Sequence, residues 1–353
     1  MMDNPDLPRA LRIQADACRT LGSPFHGALL DLAAQDLEAG GAVAALLTPW
    51  AQADLRKLFD DATPLRLLGA LHDLVLSGDE PGLASTYPQP GRTADPEAAW
   101  AMARIAIVRH QARLAVFMAH EPQTNEVRRS ACLAPGFLTL AHETGLPIRA
   151  FEVAASAGLN LNWDRFRYRF GDTAWGDPLA PVAIDTDWTG CPPPVDAKID
   201  VISRAACDRR PVDLSDPIQR RRLLAYVWPD QFERLDRIRA AIDLALALGV
   251  EVETADAVAW TARVAAPKPG TVTVLYHSVF WQYMPAESQI ALAQVIAQHG
   301  ASATADAPFA WLRMEPPPAH MSNMEVRLTL WPGGEDRRLA EVHPHGAWVK
   351  WEG

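Results

Sequence analysis

A chain of 353 residues, 49% hydrophobic and 22% charged, is long enough to bury a sizeable core as one large domain or two modest ones. Its formal net charge of −10 disfavours nucleic acid as a partner, because that binding rests on Lys and Arg neutralising phosphates. The cysteines Cys18, Cys132, Cys191 and Cys207 form no C-x-x-C pair, so zinc-ribbon and thioredoxin-like spacings are absent, and reduced thiols fit a cytoplasmic setting.

The opening MMDNPDLPRALRIQADACRT lacks the basic-then-apolar layout of a signal peptide. No apolar run approaches the roughly 20 residues that cross a bilayer, so no membrane partner is expected. Residues 1–145 read as an all-helical region. HGALLDLAAQDLEAGG (26–41) and PLRLLGALHDLVLSG (64–78) end in glycine, as helices often do. Asp95-Pro96-Glu97 predicts a capped helix start ahead of AAWAMARIAIVRHQARLAVFMAH (98–120), a run apolar around most of its circumference that suits the middle of a helical layer.

From residue 146 the pattern changes to short apolar runs separated by helices, which predicts a mostly parallel sheet covered on both faces. PIRAFEVAAS (147–156), IDVISRAA (199–206), VEVETADA (250–257), TVTVLYHSVF (271–280) and PFAWLRMEP (308–316) supply five parallel strands. MEVRLTLW and RRLAEVHPHGAWVKW follow, joined by PGGEDR, a connection so short that those two run antiparallel. Between the runs, FERLDRIRAAIDLALALG carries Leu235, Ile238, Ile242 and Ala245 at helical spacing. Arg220 to Arg222 reads as a solvated helix start. RFRYRFGD alternates arginine with aromatics and predicts a strand in an inserted hairpin, so residues 165–196 are expected as an insertion at the ligand-facing end of the sheet.

The stretch EVAASAG sets Glu152, Ala154, Ser156 and Gly158 at every second place after an apolar strand. It resembles the first motif of class I S-adenosylmethionine-dependent methyltransferases, an acid followed by three alternating glycines, with Ala154 and Ser156 in place of the first two. Glycine suits such a turn because the backbone bends sharply close to the ligand. The resemblance implies a Rossmann-like sheet of seven strands with a C-terminal antiparallel hairpin over residues 146–353, behind a helical cap that closes over the ligand crevice. It further implies S-adenosylmethionine as cofactor, held by Glu152, Ala154, Ser156 and Gly158, by Asp208 (or Asp213) near the end of the second strand, and by Asp256 after the third. The acceptor would be a small molecule. At the scale of the whole chain, QTNEVRR, ASAGLNLNWDRF, VWPDQ, YHSVFWQYMP and HPHGAWVKW resemble a bacterial family described as a domain of unknown function. That likeness groups these segments into one site, adding Thr124, Asn125 and Arg128.

His277 and Glu315 stand where the fourth and fifth strands open onto the crevice, and are the candidates for removing a proton. Trp281 and Tyr283, with Asn125 and Arg128, are candidates for holding substrate; Trp163 and Trp228 are aromatics of the same kind or plain core. Glu152, an acid late in an apolar strand, needs a partner, for which ligand hydroxyls or Arg128 qualify.

Other chemistries compete. Ala154-Ala155-Ser156-Ala157-Gly158 also matches a variant nucleophile elbow, with later acids and His343 and His345 in triad order. No oxyanion segment accompanies it, and some 145 residues without strands precede it. His343-Pro344-His345 offers two imidazoles but no third ligand, and His320 is isolated, so no metal is expected. A ligand-binding module that keeps the fold without catalysis is the alternative to an enzyme.

Overall fold

In the computed structural model, which describes residues 4–317 and 323–353, the chain divides into two units, Met1–Thr124 with Ser215–Asp236, and Asn125–Leu214 with Arg237–Gly353. His320 lies outside the described residues.

The first unit is helical. Its main helices are Asp6–Thr20, Pro24–Glu38, Thr63–Ser77, Pro96–Arg109, Gln111–Met118 and Pro217–Ala225. Capping accounts for the start of the fourth: the Asp95 carboxylate accepts the N–H groups of Glu97 and Ala98 ahead of Pro96. Leu29, Leu30, Leu67, Leu71, Leu74, Trp100 and Trp228 form its core, so Trp228 is packing. Buried carboxylates in this unit carry arginine partners: Asp36 with Arg104 at 2.8 Å, Asp73 with Arg113 and Arg221 at 2.7 Å each, and Glu80 with Arg109 at 2.8 Å.

Two expectations fail here. The run 98–120 is broken at His110 (φ −114°, ψ 24°), and its outer face leaves Ile105, Val108 and Val116 49%, 71% and 66% exposed, so it is not the middle of a layer. The basic cluster is not simply solvated either. Arg221 pairs with Asp73, and Arg222 lies 4.0 Å over the Phe117 ring while donating to the Phe117 and His120 carbonyls, as a long amphipathic side chain can.

The second unit is built on one sheet. Its strands, in chain order, are β1 Ile148–Val153, β2 Arg167–Phe170, β3 Thr173–Trp175, β4 Ala183–Thr189, β5 Val201–Asp208, β6 Glu253–Thr254, β7 Val272–Ser278, β8 Phe309–Glu315, β9 Met324–Trp331, β10 Glu335–Val342 and β11 Trp348–Trp351. They lie in the order β3-β2-β4-β11-β10-β9-β8-β7-β1-β5-β6. The five expected parallel strands are there, as β6-β5-β1-β7-β8, each parallel to its neighbour. In chain order that is third, second, first, fourth, fifth, the doubly wound arrangement.

The sheet has eleven strands among the described residues, not seven, for two reasons. The last apolar run is cut by a turn at His343–Ala347 into β10 and β11, and β9, β10 and β11 follow β8 as an antiparallel meander. The segment 165–196 supplies β2, β3 and β4, which extend the sheet from β11 at its far edge, parallel where β4 meets β11. The insertion therefore adds strands to the sheet itself, and Trp175 of β3 stacks on Trp163 at 5.9 Å. Its hairpin is as the alternation predicts: β2 and β3 pair antiparallel, with Phe166, Tyr168 and Phe170 buried.

Side chains alternate between two covered faces of the parallel strands. On one face Phe151, Val153, Cys207, Leu275 and Phe309 pack with Trp260 of the helix Ala257–Val264 and Leu292 and Ile296 of the helix Ala286–Ser302. On the other, the helix Ser130–Thr144 presents Phe137, whose ring stacks on Trp163 at 4.0 Å and meets Tyr276 edge-on at 5.1 Å. Gly136 lets this helix approach β8, since a Cβ there would stand 2.5 Å from Leu312 Cδ1.

Replacing Gly136 with valine is therefore expected to overpack this contact and cost about 1–3 kcal/mol. Urea unfolding measures it; an unchanged midpoint would mean that the helix is free to shift outward.

Candidate ligand site at the strand ends

The order of the parallel strands reverses between β1 and β7, and open α/β sheets bind ligands beyond the carboxyl ends at such a point. The backbone there is strained. Four non-glycine residues among those described have positive φ, and three lie where these two strands end: Ala154 (56°), Ser156 (55°) and Val279 (52°). A β-branched residue in that region is an outlier, and strain of this kind gathers at ligand sites. Gly158, at 69°, continues the alternation begun by Ala154 and Ser156.

Neighbouring groups hold the turn. Asp208, the last residue of β5, accepts the Ser156 N–H on Oδ2 and the Arg210 N–H on Oδ1, both at 2.8 Å. The Ala155 N–H donates to the Cys207 carbonyl at 3.1 Å, and the Ser156 carbonyl accepts from Val212 N–H at 3.1 Å. A Cβ on Gly158 would stand 2.8 Å from Val250 Cγ1 and Val252 Cγ2, so valines cover that side of the turn. The chain then enters a 3-10 segment, Leu159–Arg165, where a glycine loop of this fold usually opens an α-helix. QTNEVRR reaches it directly: Asn125 Oδ1 accepts the Leu159 N–H at 2.9 Å, and Asn160 Nδ2 donates to the Glu126 carbonyl at 3.1 Å.

Glu152 is 4% exposed, and its carboxylate partner is neither Arg128 nor a backbone amide but the Tyr276 hydroxyl, which donates to Oε2 at 3.3 Å. Burial pushes its pKa up to about 8, against the opposing pull of the Tyr276 bond and with a smaller push from Asp208, which favours the neutral acid. In the segment that follows, buried polar atoms lack protein partners: Ser156 Oγ, Asn160 Oδ1, both amide atoms of Asn162, and Trp163 Nε1. Arg128 turns elsewhere, donating through Nη2 to the Asp185 carbonyl at 2.7 Å and the Ala347 carbonyl at 3.4 Å. Thr124 is exposed.

His277 and Glu315 do meet. His277 Nδ1 lies 2.7 Å from Glu315 Oε1, and Trp311 Nε1 donates to His277 Nε2 at 3.0 Å. An indole N–H can only donate, so Nε2 is the acceptor and Nδ1 carries the proton. The Phe280 N–H donates to both Glu315 oxygens at 2.9 and 3.2 Å, fixing the carboxylate. Trp281 stacks on the imidazole at 5.8 Å, while Tyr283 is 75% exposed. Asp256 caps the helix Ala257–Val264, taking the Val258 and Ala259 N–H groups on Oδ1 at 2.9 and 3.2 Å.

The other chemistries find little support in the geometry. Ser156 Oγ is bonded to no histidine, whereas an activated nucleophile needs a base within hydrogen-bond reach. His343 Nδ1 accepts the His345 N–H at 3.0 Å, burial lowers the pKa of His343, and no group of three or more metal-ligating side chains occurs among the described residues.

The family model for an uncharacterized protein conserved in bacteria (DUF2332) matches residues 8–351. The chain belongs to that family. No curated protein and no solved structure matches it.

Sequence reasoning missed several members of this site. Tyr276, Val279 and Trp311 enter only as members of the fourth and fifth apolar runs, and nothing in YHSVF signals a positive φ at Val279. Asn160 and Asn162 had a usable signal, two amides in an otherwise apolar NLNW run.

Two outcomes follow from this geometry. The raised pKa means that the folded chain binds a proton at Glu152 that the unfolded chain has lost between pH 4.5, the ordinary value, and about 8. The stability tied to that proton is full below the lower value and is lost as pH rises through the upper one. Glu152→Gln should thus match the parent in melting temperature at pH 5 and exceed it at pH 9; parallel curves across that range would refute a buried neutral acid. Ala154→Gly, by removing a left-handed alanine, should raise stability by about 1 kcal/mol in denaturant titration, and a loss instead would mean the turn is not strained.

Proposed function

We propose that the chain is a methyltransferase-like protein that takes S-adenosylmethionine at the strand ends and, acting as an enzyme, transfers its methyl group to a small molecule. The observation that carries this reading is the backbone of EVAASAG. Ala154, Ser156 and Gly158 stand at φ of 56°, 55° and 69°, so the three places where the resembling motif has glycine adopt the conformation that glycine favours. The order of the five parallel strands supports the same reading.

The residues present suit the cofactor in type. A carboxylate offers about four lone-pair sites, so Asp208, with one amide on each oxygen, can still accept ribose hydroxyls. Both cap bonds to Asp256 fall on Oδ1, which leaves Oδ2 able to accept from an exocyclic amine. The buried Ser156 hydroxyl, without a protein partner, can donate or accept at the polar end of the ligand. Val250 and Val252 pack against the Gly158 side of the turn. When bound, the cofactor supplies an electrophilic methyl group. The chain contributes alignment and a dry setting, in which a neutral Glu152 adds no fixed charge beside the turn. Of the two proton acceptors, Glu315 is the better placed: its side chain is 12% exposed, whereas His277 is wholly buried with both nitrogens engaged.

That engagement favours a second reading, a binding module on the same fold that performs no proton transfer. Thermal unfolding with S-adenosylmethionine and S-adenosylhomocysteine tests both. A ligand at about 100 times its Kd stabilises by roughly 2.7 kcal/mol, which should raise the melting temperature by a few degrees. Asp256→Ser retains a capping oxygen, so it should melt as the parent does without ligand and lose the shift with it. A shift without formation of S-adenosylhomocysteine across a panel of acceptors selects the module; no shift with either ligand defeats both readings.

A further inference from the structure

Within the helical unit, a pocket of about 460 Å³ is lined by Leu46, Pro49, Trp50, Ala53, Ala115 and Met118, with Lys57, Asp61 and Arg66 at its polar end. Arg66 is 5% exposed. The buried carboxylates of this unit, Asp36, Asp73 and Glu80, each have an arginine against them, yet among the described residues no carboxylate lies within 4.0 Å of Arg66. Its Nε donates to the Asp61 carbonyl and its Nη1 to the Met118 carbonyl, the ends of the helices Leu55–Asp60 and Gln111–Met118. Those bonds use two of the five N–H donors and fix the plane of the guanidinium, whose carbon lies 5.7 Å from the Trp50 ring centre. Nη2 has no protein acceptor.

Arg66 thus brings a buried guanidinium, met by two helix C-terminal carbonyls and near the Asp61 carboxylate, to the head of an apolar pocket with Nη2 still able to donate. We propose that this pocket binds a small organic monocarboxylate, with the carboxylate on Arg66 and an apolar tail against Trp50, Pro49 and Met118. A guanidinium fork matches a carboxylate in geometry as well as charge. The neighbouring Asp61, bound to Lys57 Nζ and Trp50 Nε1 at 2.8 Å each, repels a second negative charge, which disfavours phosphate, sulfate and dicarboxylates. The volume lies in the range of small-molecule sites, about 300–1,000 Å³.

Calorimetric titration of the full chain with hexanoate and phenylacetate tests the proposal, with hexanamide as the uncharged control and sulfate as competitor at matched ionic strength. Hexanoate should bind at least tenfold more tightly than hexanamide, sulfate should fail to displace it, and Arg66→Met should abolish binding. Ala115→Phe, which enlarges a side chain on the pocket's lining, should weaken hexanoate at least tenfold, and it carries the test if Arg66→Met does not fold. Equal binding of the amide, displacement by sulfate, retained binding in either folded variant, or no binding of either carboxylate at millimolar concentration would each overturn the site.

Discussion

The turn that follows β1 depends on the Asp208 carboxylate. Alanine and serine in the left-handed region each cost about 1–2 kcal/mol relative to ordinary backbone, and nothing in their own side chains offsets that. What keeps Ser156 there is a charge-assisted hydrogen bond from its N–H to Asp208, flanked by the bonds from Ala155 to Cys207 and from Val212 to Ser156. Pairing of β1 on both sides, with β5 and β7, fixes where the turn begins. The small side chains at 154 and 156 then follow from steric need, because the conformation tolerates little beyond Cβ and Oγ. Such a turn is held rather than adaptable, which is what a preorganised ligand cradle requires.

Above that turn the fold replaces an expected helix with aromatic packing. The chain leaves Gly158 as a 3-10 segment and delivers Trp163 onto Phe137, so the face of β1 that carries Glu152 is covered by the helix Ser130–Thr144 and stacked rings. Polar groups on that face are thereby dehydrated together. Glu152 responds by taking up a proton, which is cheaper than burying a carboxylate whose one hydrogen bond comes from a tyrosine. Asn162 and Ser156 have no such option, and their unpartnered atoms are the feature of this face that a well-packed apolar core would not retain.

How far these features could be read in the sequence depended on how local their causes are. The five parallel strands and the hairpin of RFRYRFGD were legible because period and turn chemistry act over a few residues. The cap at Asp95 was legible for the same reason. The far placement of β2, β3 and β4 was not, because it is decided by pairing with β11, some 160 residues onward. VEVETADA yields only Glu253 and Thr254 as strand, since pairing with β5 is confined to Cys207 and Asp208. At the site, Ser156 meets Asp208 and His277 meets Glu315, while Arg128 and Tyr283 turn away, and the partners of each were hidden. Asp256 is a helix cap, Asn125 holds Leu159 through its backbone, and His277 is fixed between Trp311 and Glu315.

The two units deal with buried charge differently, and the difference is what makes parts of each reactive. In the helical unit, the buried carboxylates Asp36, Asp73 and Glu80 each carry an arginine, whereas Arg66, like Arg222, is met by backbone carbonyls. In the sheet unit, burial favours the neutral acid at Glu152, and His277 is fixed between the Trp311 indole N–H and the Glu315 carboxylate. A ligand that brings its own charge would therefore meet opposite conditions in the two places. An anion is drawn to Arg66, whereas at the strand ends the nearby Asp208 and Asp256 favour a neutral or cationic group rich in hydroxyls and amines. Each preference follows from which polar groups the fold left uncompensated, and neither depends on the other being correct.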